Sequence, residues 1–247
     1  MNIPDFNQAM DFPDPAREDV DELLAIGGDL SPQRLISAYS KGIFPWFSHD
    51  SPILWWSPDP RMVLLPGLLH VPRRLRRTLT QSRFRVSLNL DFQAVIQGCA
   101  QVRRKGSSGT WIVPSMIQAY TRLHQLGYAH SLEVWDQDLL AGGIYGVALR
   151  RAFFGESMFH RVSGASKVAL VCLARRLFEH GFYFLDCQQS SRHLQGFGAL
   201  DMTRQEFLSL LKQALQEPEP GPECWQAGWI CPEHSTHLTP SETRLCR

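Results

Sequence analysis

The sequence predicts an α+β protein that has a small N-terminal domain and a larger domain built on a mixed sheet. Two observations lead to this class. Residues 130–135, 139–149 and 152–159 have the composition of three successive antiparallel strands, separated by short polar turns. An amphipathic helix, SGASKVALVCLARRLFEHG, and another strand, FYFLDCQ, follow them. Runs of strands beside helices indicate a sheet that is covered by helices.

The N-terminal domain is predicted to end near residue 60. Ser31 and Pro32 indicate the N-cap and first position of a short helix, and Gly42 ends it. The segment 42–60 then carries three tryptophans and four prolines. Because regular elements do not accommodate this proline density, we expect a small aromatic-rich unit without regular structure.

The larger domain is predicted to span residues 61–217. Its further elements are a strand at 83–90, a helix beginning at VPSMIQAY and a last helix that ends near Leu215. Thr203 and Glu206 have the spacing of a capping box at the start of that last helix. Residues 218–247 are proline-rich at first and match no standard zinc-binding spacing, so we expect a loosely held tail.

Composition is that of an ordinary globular protein. Of 247 residues, 44% are apolar and 20% are charged. The N-terminus lacks the features of a secretory signal, and no apolar run is long enough to span a bilayer. Six cysteines include no CxxC pair, which favours the reducing cytoplasm as the compartment.

Charge is segregated along the chain although the net charge is only +1. Residues 1–30 carry eight acids and one arginine, whereas residues 70–105 carry nine bases and one acid. Such a basic block suggests a polyanionic partner, and a solvated arginine-rich helix face is an equally good interpretation of charge alone.

The strand FYFLDCQ ends in an acid and an amide that share one face. Side chains alternate along a strand, so Asp186 and Gln188 lie together and Cys187 points the other way. A buried carboxylate needs a partner, and a structural hydrogen-bond network would supply one. The stretch alone therefore favours a structural network over a catalytic pair.

Several longer stretches resemble one family. They are GGDLSPQRLISAYSKGIFPWF, ILWWSPDPR, GTWI, YAHSLEVW, GGIYGV, FFGESMF, ASK and LDCQ. Together these resemble the leucyl/phenylalanyl-tRNA–protein transferases, from about residue 20 to residue 215. The resemblance implies a catalytic domain folded like the acetyl-CoA-dependent (GNAT) N-acetyltransferases.

The resemblance also implies an activity. The family moves Leu, Phe and, less well, Met from aminoacyl-tRNA to the N-terminal Arg or Lys of a protein and so marks that protein for degradation. The reaction needs no cofactor and no metal. We expect a cytoplasmic enzyme, a monomer, with no membrane partner. An α-amine has a pKa of about 7.7–8.0, so no enzyme nucleophile is required.

Site residues follow from matched positions. Asp186 and Gln188 take the catalytic positions, where Asp186 orients the amine or accepts its proton. The matched substrate-binding residues are Glu156, Trp46, Trp111, Phe153, Ile144, Gly155, Met158, Leu170, Leu173 and Leu185. The basic block supplies the expected tRNA contacts, Arg76, Arg77 and Arg83.

Two alternatives stay open. Residues 161–166 resemble the Arg-x-x-Gly-x-Gly/Ala signature of acetyltransferases, which would indicate an acyl-CoA-dependent N-acyltransferase. A non-catalytic RNA-binding module would explain the basic block and the aromatics, but it would leave Asp186, Gln188 and Glu156 without a role.

Overall fold

Two β-sheets organise the chain. The computed structural model describes residues 11–17, 21–81, 83–102 and 111–230. The smaller sheet has three strands and the larger has eight. The last strand of the smaller sheet ends at Trp56 and the first strand of the larger one begins at Arg61. The predicted α+β class, with a small N-terminal part and a larger mixed sheet, is confirmed.

The small sheet is antiparallel, in the order β1-β3-β2, with the bounds β1 Leu23–Ile26, β2 Phe44–Pro45 and β3 Leu54–Trp56. Helix α1, Pro32–Ser40, lies between β1 and β2, and the Ser31 side chain caps it by accepting from the backbone of Arg34. The aromatic segment was predicted to lack regular structure, yet it forms β2 and β3. Pro45 is tolerated because β2 is an edge strand.

The large sheet is mixed, in the order β10-β4-β9-β8-β7-β6-β5-β11. Its neighbours are all antiparallel except β8 and β9, which are parallel. The strands are β4 Arg61–Leu64, β5 Arg85–Leu88, β6 Ala129–Asp136, β7 Leu139–Leu149, β8 Ala152–His160, β9 Phe184–Gln188, β10 Leu200–Met202 and β11 Gly228–Ile230.

Helices cover both faces of this sheet. One face packs against α3, Phe92–Ala100, α4, Pro114–Gln125, and α7, Arg204–Gln216. The other packs against α2, Arg73–Thr80, and α5, Ala165–Glu179, while the short α6, Arg192–Gln195, follows β9. Within the described residues, no helix is both long and apolar enough to cross a membrane.

Part of the predicted tail is ordered. Residues Pro222–Trp225 form a 3-10 turn and β11 pairs with β5. Trp225 stacks on His130 with ring centroids 3.8 Å apart, and Arg176 donates to the carbonyl of Cys224 at 2.8 Å. The stacking of Trp225 and the burial of Cys224 therefore hold this segment, contrary to the prediction of a loose tail. Residues 231–247 lie outside the described part of the chain.

The parallel pair β8–β9 creates the opening in the sheet. Their pairing is limited to Ala152–Phe154 against Phe184–Asp186. Beyond this point β8 continues to His160 without pairing to β9. The two strands separate there, and their side chains can reach a space that lies between them.

Candidate functional site

A cavity of about 360 Å³ lies where β8 and β9 separate. Ten of the twelve residues predicted for catalysis and substrate binding line it, namely Trp46, Trp111, Ile144, Gly155, Glu156, Met158, Leu170, Leu185, Asp186 and Gln188. The fold thus brings together residues that are up to 142 positions apart in the chain, since β2, β7, β8, α5 and β9 each contribute to one space.

Asp186 is buried in a two-pronged ion pair with Arg61. Arg61 Nε donates to Asp186 Oδ1 at 2.9 Å and Nη2 donates to Oδ2 at 2.6 Å. The two side chains are 0% and 1% exposed. The guanidinium lies between the rings of Phe44 and Phe207, at 4.8 and 4.5 Å, and donates to the carbonyl of Gly42. The pair is satisfied on both sides, as a buried ion pair must be.

Gln188 connects Asp186 to Glu156. A bulge between β4 and β9 leaves Gln188 with a φ of 64°, in the left-handed region. Its backbone N–H donates to Asp186 Oδ1 at 2.8 Å and its side-chain amide donates to Glu156 Oε1 at 2.9 Å. The acid and the amide therefore belong to one network, in which a strained residue has its backbone and its side chain both held.

Glu156 is the titratable group of the cavity. Tyr39 donates to its Oε1 at 2.7 Å, and the hydroxyls of Tyr39 and Tyr120 are themselves hydrogen-bonded. Its Oε2 is buried and no described residue hydrogen-bonds to it. Burial raises the pKa of Glu156 to about 7, while the hydroxyls of Tyr39 and Tyr120 and the side-chain amide of Gln188 oppose that shift. A carboxyl group in this position changes its protonation near neutral pH.

Part of the cavity wall is apolar. Ile144, Met158, Leu170, Leu185 and Leu194 lie on its wall. Such a surface suits an aliphatic or aromatic side chain, because it offers no polar group that would need a partner.

Two predicted members of that wall lie elsewhere. Phe153 is fully buried against Trp225, and it pairs with Leu185 in the part of β8 that still contacts β9. Leu173 lies on α5 one turn after Leu170 and is 2% exposed in the core. Neither residue lines the cavity. Both positions are apolar and next to true wall residues, so the sequence alone does not separate them from the wall.

The two aromatic residues that were predicted to bind the terminal adenosine also lie at the cavity. Trp46 and Trp111 are half-buried and line it. Trp46 packs edge-on against Trp56, with ring centroids 5.9 Å apart. Residues 103–110, which precede Trp111 and include three of the basic residues, are outside the described part of the chain.

Cys187 has no features of a nucleophile. Cys187 lines the cavity, but it is partly buried and packs against the core cluster, and its thiol donates to the carbonyl of Leu185. Burial raises the pKa of Cys187 well above its ordinary value, so the thiolate is not formed near neutral pH.

The predicted tRNA-binding arginines lie on α2 and just before β5. Arg76 and Arg77 are exposed on α2. Arg83 is half-exposed, forms an ion pair with Asp136 at 2.9 Å and lies over the ring of Phe84. They do not line the cavity, so any contact with a substrate bound there would involve its more distant parts.

Sequence reasoning missed Arg61, Tyr39 and Tyr120. All three are buried and hold the two acids of the site. A signal was present for Arg61, since an arginine followed by the apolar run Met62–Leu65 begins a buried strand and a buried arginine requires an acid. The two tyrosines carry no such signal, because tyrosines on apolar helix faces are common.

Comparison with solved structures gives weak similarities. A GCN5-related N-acetyltransferase from Kribbella flavida matches with a TM-score of 0.39 and 11% identity over 70% of this chain and 61% of that one. The C-terminal domain of a putative lysylphosphatidylglycerol synthetase from Agrobacterium fabrum matches with a TM-score of 0.37 and 12% identity, over 81% and 63% of the two chains. Structural similarities this weak support no conclusion about the fold or the function of this chain.

Comparison of sequences gives strong similarities. The family model for leucyl/phenylalanyl-tRNA protein transferase matches residues 63–212, and the model for its N-terminal domain matches residues 28–59. A protein of that name from Solidesulfovibrio magneticus is 51% identical over 94% of this chain and 92% of its own length.

Two further relatives agree. Proteins named leucyl/phenylalanyl-tRNA–protein transferase from Anaeromyxobacter dehalogenans (strain 2CP-C) and Saccharophagus degradans are 56% and 52% identical. The matches cover 84% and 89% of this chain and 89% and 90% of the relatives. The chain therefore belongs to the leucyl/phenylalanyl-tRNA protein transferase family.

Proposed function

We propose that this chain transfers a leucyl or phenylalanyl group, and less well a methionyl group, from aminoacyl-tRNA to the N-terminal Arg or Lys of an acceptor protein. The new N-terminal residue would mark the acceptor for degradation. Family membership supports this proposal, because relatives that cover most of the chain carry the name of that activity. We expect the enzyme to act as a monomer in the cytoplasm, where aminoacyl-tRNA is available.

One observation of the cavity carries the chemical part of the proposal. Glu156 lines the cavity together with the apolar residues Met158 and Leu170, and its buried Oε2 accepts no hydrogen bond from the described residues. An apolar aminoacyl side chain would bury its surface on that wall. The ester carbonyl and the attacking amine would then lie near the polar network at the other end of the cavity.

The reaction needs a proton acceptor at that network. The lone pair of the α-amine attacks the ester carbonyl, a C–N bond forms and the C–O bond to the ribose breaks. The amine loses one proton and the departing ribose oxygen gains one. We assign the acceptor role to Glu156, since its pKa of about 7 is close to the working pH and no described residue hydrogen-bonds to its Oε2. The same group would then return the proton to the ribose oxygen.

Asp186 and Gln188 are positioning residues in this proposal. Both oxygens of Asp186 already accept hydrogen bonds, two from Arg61 and one from the backbone of Gln188. These bonds fill most of the lone-pair positions of a carboxylate. The pair instead holds Gln188, whose amide fixes the Oε1 of Glu156. We keep the expectation that Asp186 is required for turnover, but through the geometry of Gln188.

The donor tRNA would be recognised mainly at its 3′ end. Trp46 and Trp111 offer aromatic faces at the cavity, on which a terminal adenine can stack. Arg76, Arg77 and Arg83 would contact phosphates further along the acceptor arm. Their separation from the cavity fits that division of roles, because an acceptor arm extends well beyond one nucleotide.

The test is transfer by the purified full-length chain from labelled Leu-tRNA to peptides. One peptide begins with Arg, and a matched control differs only by an initial Ala. We expect label on the Arg peptide alone. Labelled acyl-CoA replaces the tRNA in a second arm, because Gly164 opens α5 with a φ of 92° after Arg161, as in the acetyltransferase signature. Transfer from acyl-CoA but not from Leu-tRNA would overturn the proposal, and transfer from neither would favour an RNA-binding module.

A further inference from the structure

Asp201 does not itself line the cavity, but it is exposed and hydrogen-bonded to a residue that does. It occupies the middle of β10, and the one hydrogen bond that its carboxylate accepts from the described residues comes from the hydroxyl of Ser190, which donates to Oδ1 at 2.6 Å. Ser190 itself lines the cavity. No described cation lies within ion-pair distance of Asp201, so its second oxygen is available to a ligand.

Strand register fixes how far Asp201 is from the reacting groups. Asp201 is opposite Met62 on β4, and Met62 is opposite Gln188 on β9. Two strand spacings separate the backbones of Asp201 and Gln188, which amounts to about 10 Å. The side chain of an arginine or a lysine, with its three or four methylene groups, can cover most of such a distance.

Two basic residues lie near another residue of the cavity, His193. Lys167, at the start of α5, and His160, at the end of β8, both lie near the cavity residue His193 and lower its pKa after burial does so. The ammonium group of Lys167 would repel a basic ligand from the neighbourhood of His193. The acids that line or adjoin the cavity are Glu156, which faces the reacting groups, Asp186, which Arg61 neutralises, and Asp201.

We propose that Asp201, oriented by Ser190, binds the basic side chain of the acceptor's N-terminal residue. The inference rests on the proposed function. With the α-amine of the acceptor beside Glu156 and Gln188, its side chain extends past Ser190, which lines the cavity, toward the exposed carboxylate on β10. Its guanidinium or ammonium group donates to the free oxygen of Asp201. Asp201 is then a determinant of acceptor specificity that takes no part in proton transfer.

The experiment compares three peptides that begin with Arg, Lys or citrulline, which has nearly the shape of arginine without its charge. Transfer from saturating Leu-tRNA is measured with the wild-type chain and with Asp201→Asn. We expect kcat/KM for the Arg and Lys peptides to fall about 3- to 10-fold through KM, as for an exposed charge-assisted contact. For citrulline it should not change, so that the preference for Arg over citrulline narrows.

Asp138→Asn is the matched control, since Asp138 is an exposed acid on the β6–β7 turn that pairs only with Arg85 at 3.1 Å among the described residues. It should leave all three values unchanged, and KM for Leu-tRNA should be the same in every variant. An unchanged Arg-to-citrulline ratio in Asp201→Asn, with an active wild type, would overturn the inference. An inactive wild type would instead count against the proposed function.

Discussion

The guanidinium of Arg61 holds both carboxylate oxygens of Asp186, across 125 residues of sequence. The two side chains come from β4 and β9, which are neighbours in the large sheet. This ion pair also positions Gln188, since Asp186 accepts a hydrogen bond from the backbone N–H of Gln188. Removing either charge leaves the other buried without a partner, which costs far more than the pair itself contributes.

Asp186→Ala and Arg61→Ala should each lower the free energy of unfolding by about 3–5 kcal/mol. The double variant should lose less than the sum of the two, because neither charge is then left unpaired. Chemical denaturation of the three variants measures this. The single-turnover rate should fall in both single variants while Leu-tRNA binding persists, because Asp186→Ala removes the acceptor of the Gln188 backbone N–H and Arg61→Ala leaves that acceptor without its ion pair. A normal rate in Arg61→Ala beside an inactive Asp186→Ala would mean that Asp186 acts on the substrate directly.

Glu156 should control the pH dependence of transfer. With a pKa of about 7, its carboxylate form increases between pH 6 and 8, and the rate should rise with it. Glu156→Gln should lower the rate at pH 7.5 by about 10²- to 10⁴-fold. The residual pH dependence should be that of the acceptor amine alone, at about 7.7–8.0. Single-turnover rates from pH 6 to 9 measure both effects.

A matched control is Glu133→Gln. Glu133 is buried on β6, and burial raises its pKa also, but its partners are Ser87 and Ser131 and it does not line the cavity. Its variant should keep the wild-type pH profile. If Glu156→Gln kept that profile instead, the proton acceptor would be a group outside the carboxylates of this site.

The same pKa makes stability depend on pH. The pKa of Glu156 rises from an ordinary 4.5 to about 7 on folding. Between these values the folded chain keeps a proton that the unfolded chain has lost, so stability falls as pH rises from 4.5 to 7 and changes no further above 7. The loss is on the order of 3 kcal/mol. Denaturation at pH 5 and pH 8 should therefore show a smaller loss for Glu156→Gln than for the wild type. An equal loss in both would place Glu156 in a more polar environment.

The apolar wall should set the preference among donors. Leu170→Ala enlarges the cavity, and it should favour Phe-tRNA over Leu-tRNA by about 1–3 kcal/mol of transition-state energy. Leu173→Ala is the control, since Leu173 is equally buried on the same helix but lies outside the cavity. Both variants should lose about 2–5 kcal/mol of stability. Competition between Leu-tRNA and Phe-tRNA measures the ratio of their kcat/KM values. A change of this ratio in Leu173→Ala alone would mean that Leu173, and not Leu170, contacts the donor side chain.

Local patterns were sufficient to predict most of the large sheet. The strands β6, β7 and β8 and the helices α4, α5 and α7 follow from alternation, helical periodicity and caps within a few residues. The structure of segment 42–60 was harder to predict from the sequence, because the pairing of β3 with β1 and β2 depends on contacts with residues up to 33 positions away. The helix α3 was not predicted at all.

The polar part of the site illustrates the same limit. Asp186, Gln188 and Glu156 were identified from two strand ends and a family resemblance. Their partners Arg61, Tyr39 and Tyr120 depend on which strands and helices become neighbours, and no local pattern contains that information. The roles that we propose for the two acids depend on these partners, since Arg61 bonds both oxygens of Asp186 whereas no described residue bonds Oε2 of Glu156.

The basic block gives the last prediction. Arg76 and Arg77 are exposed on α2. Arg76 donates one hydrogen bond, to the carbonyl of Val71. Both side chains can therefore contact phosphates at little cost in other described interactions. Neutralising both in Arg76→Gln/Arg77→Gln should weaken binding of aminoacyl-tRNA. The slope of log K against log salt concentration should decrease by about 0.7–0.9 for each phosphate contact that is lost.

Arg83 should contribute less than either helix arginine, because a phosphate has to compete with Asp136 for its guanidinium. Arg150→Gln is a suitable control, since Arg150 is a half-exposed arginine outside the block, in the β7–β8 turn. Fluorescence titrations of Leu-tRNA at several salt concentrations compare the variants. Transfer from a short donor, adenosine esterified with Phe, should be unaffected in all of them, because this donor has no phosphates. An unchanged salt slope in the double variant would mean that tRNA docks on another surface and that α2 presents only a solvated arginine face.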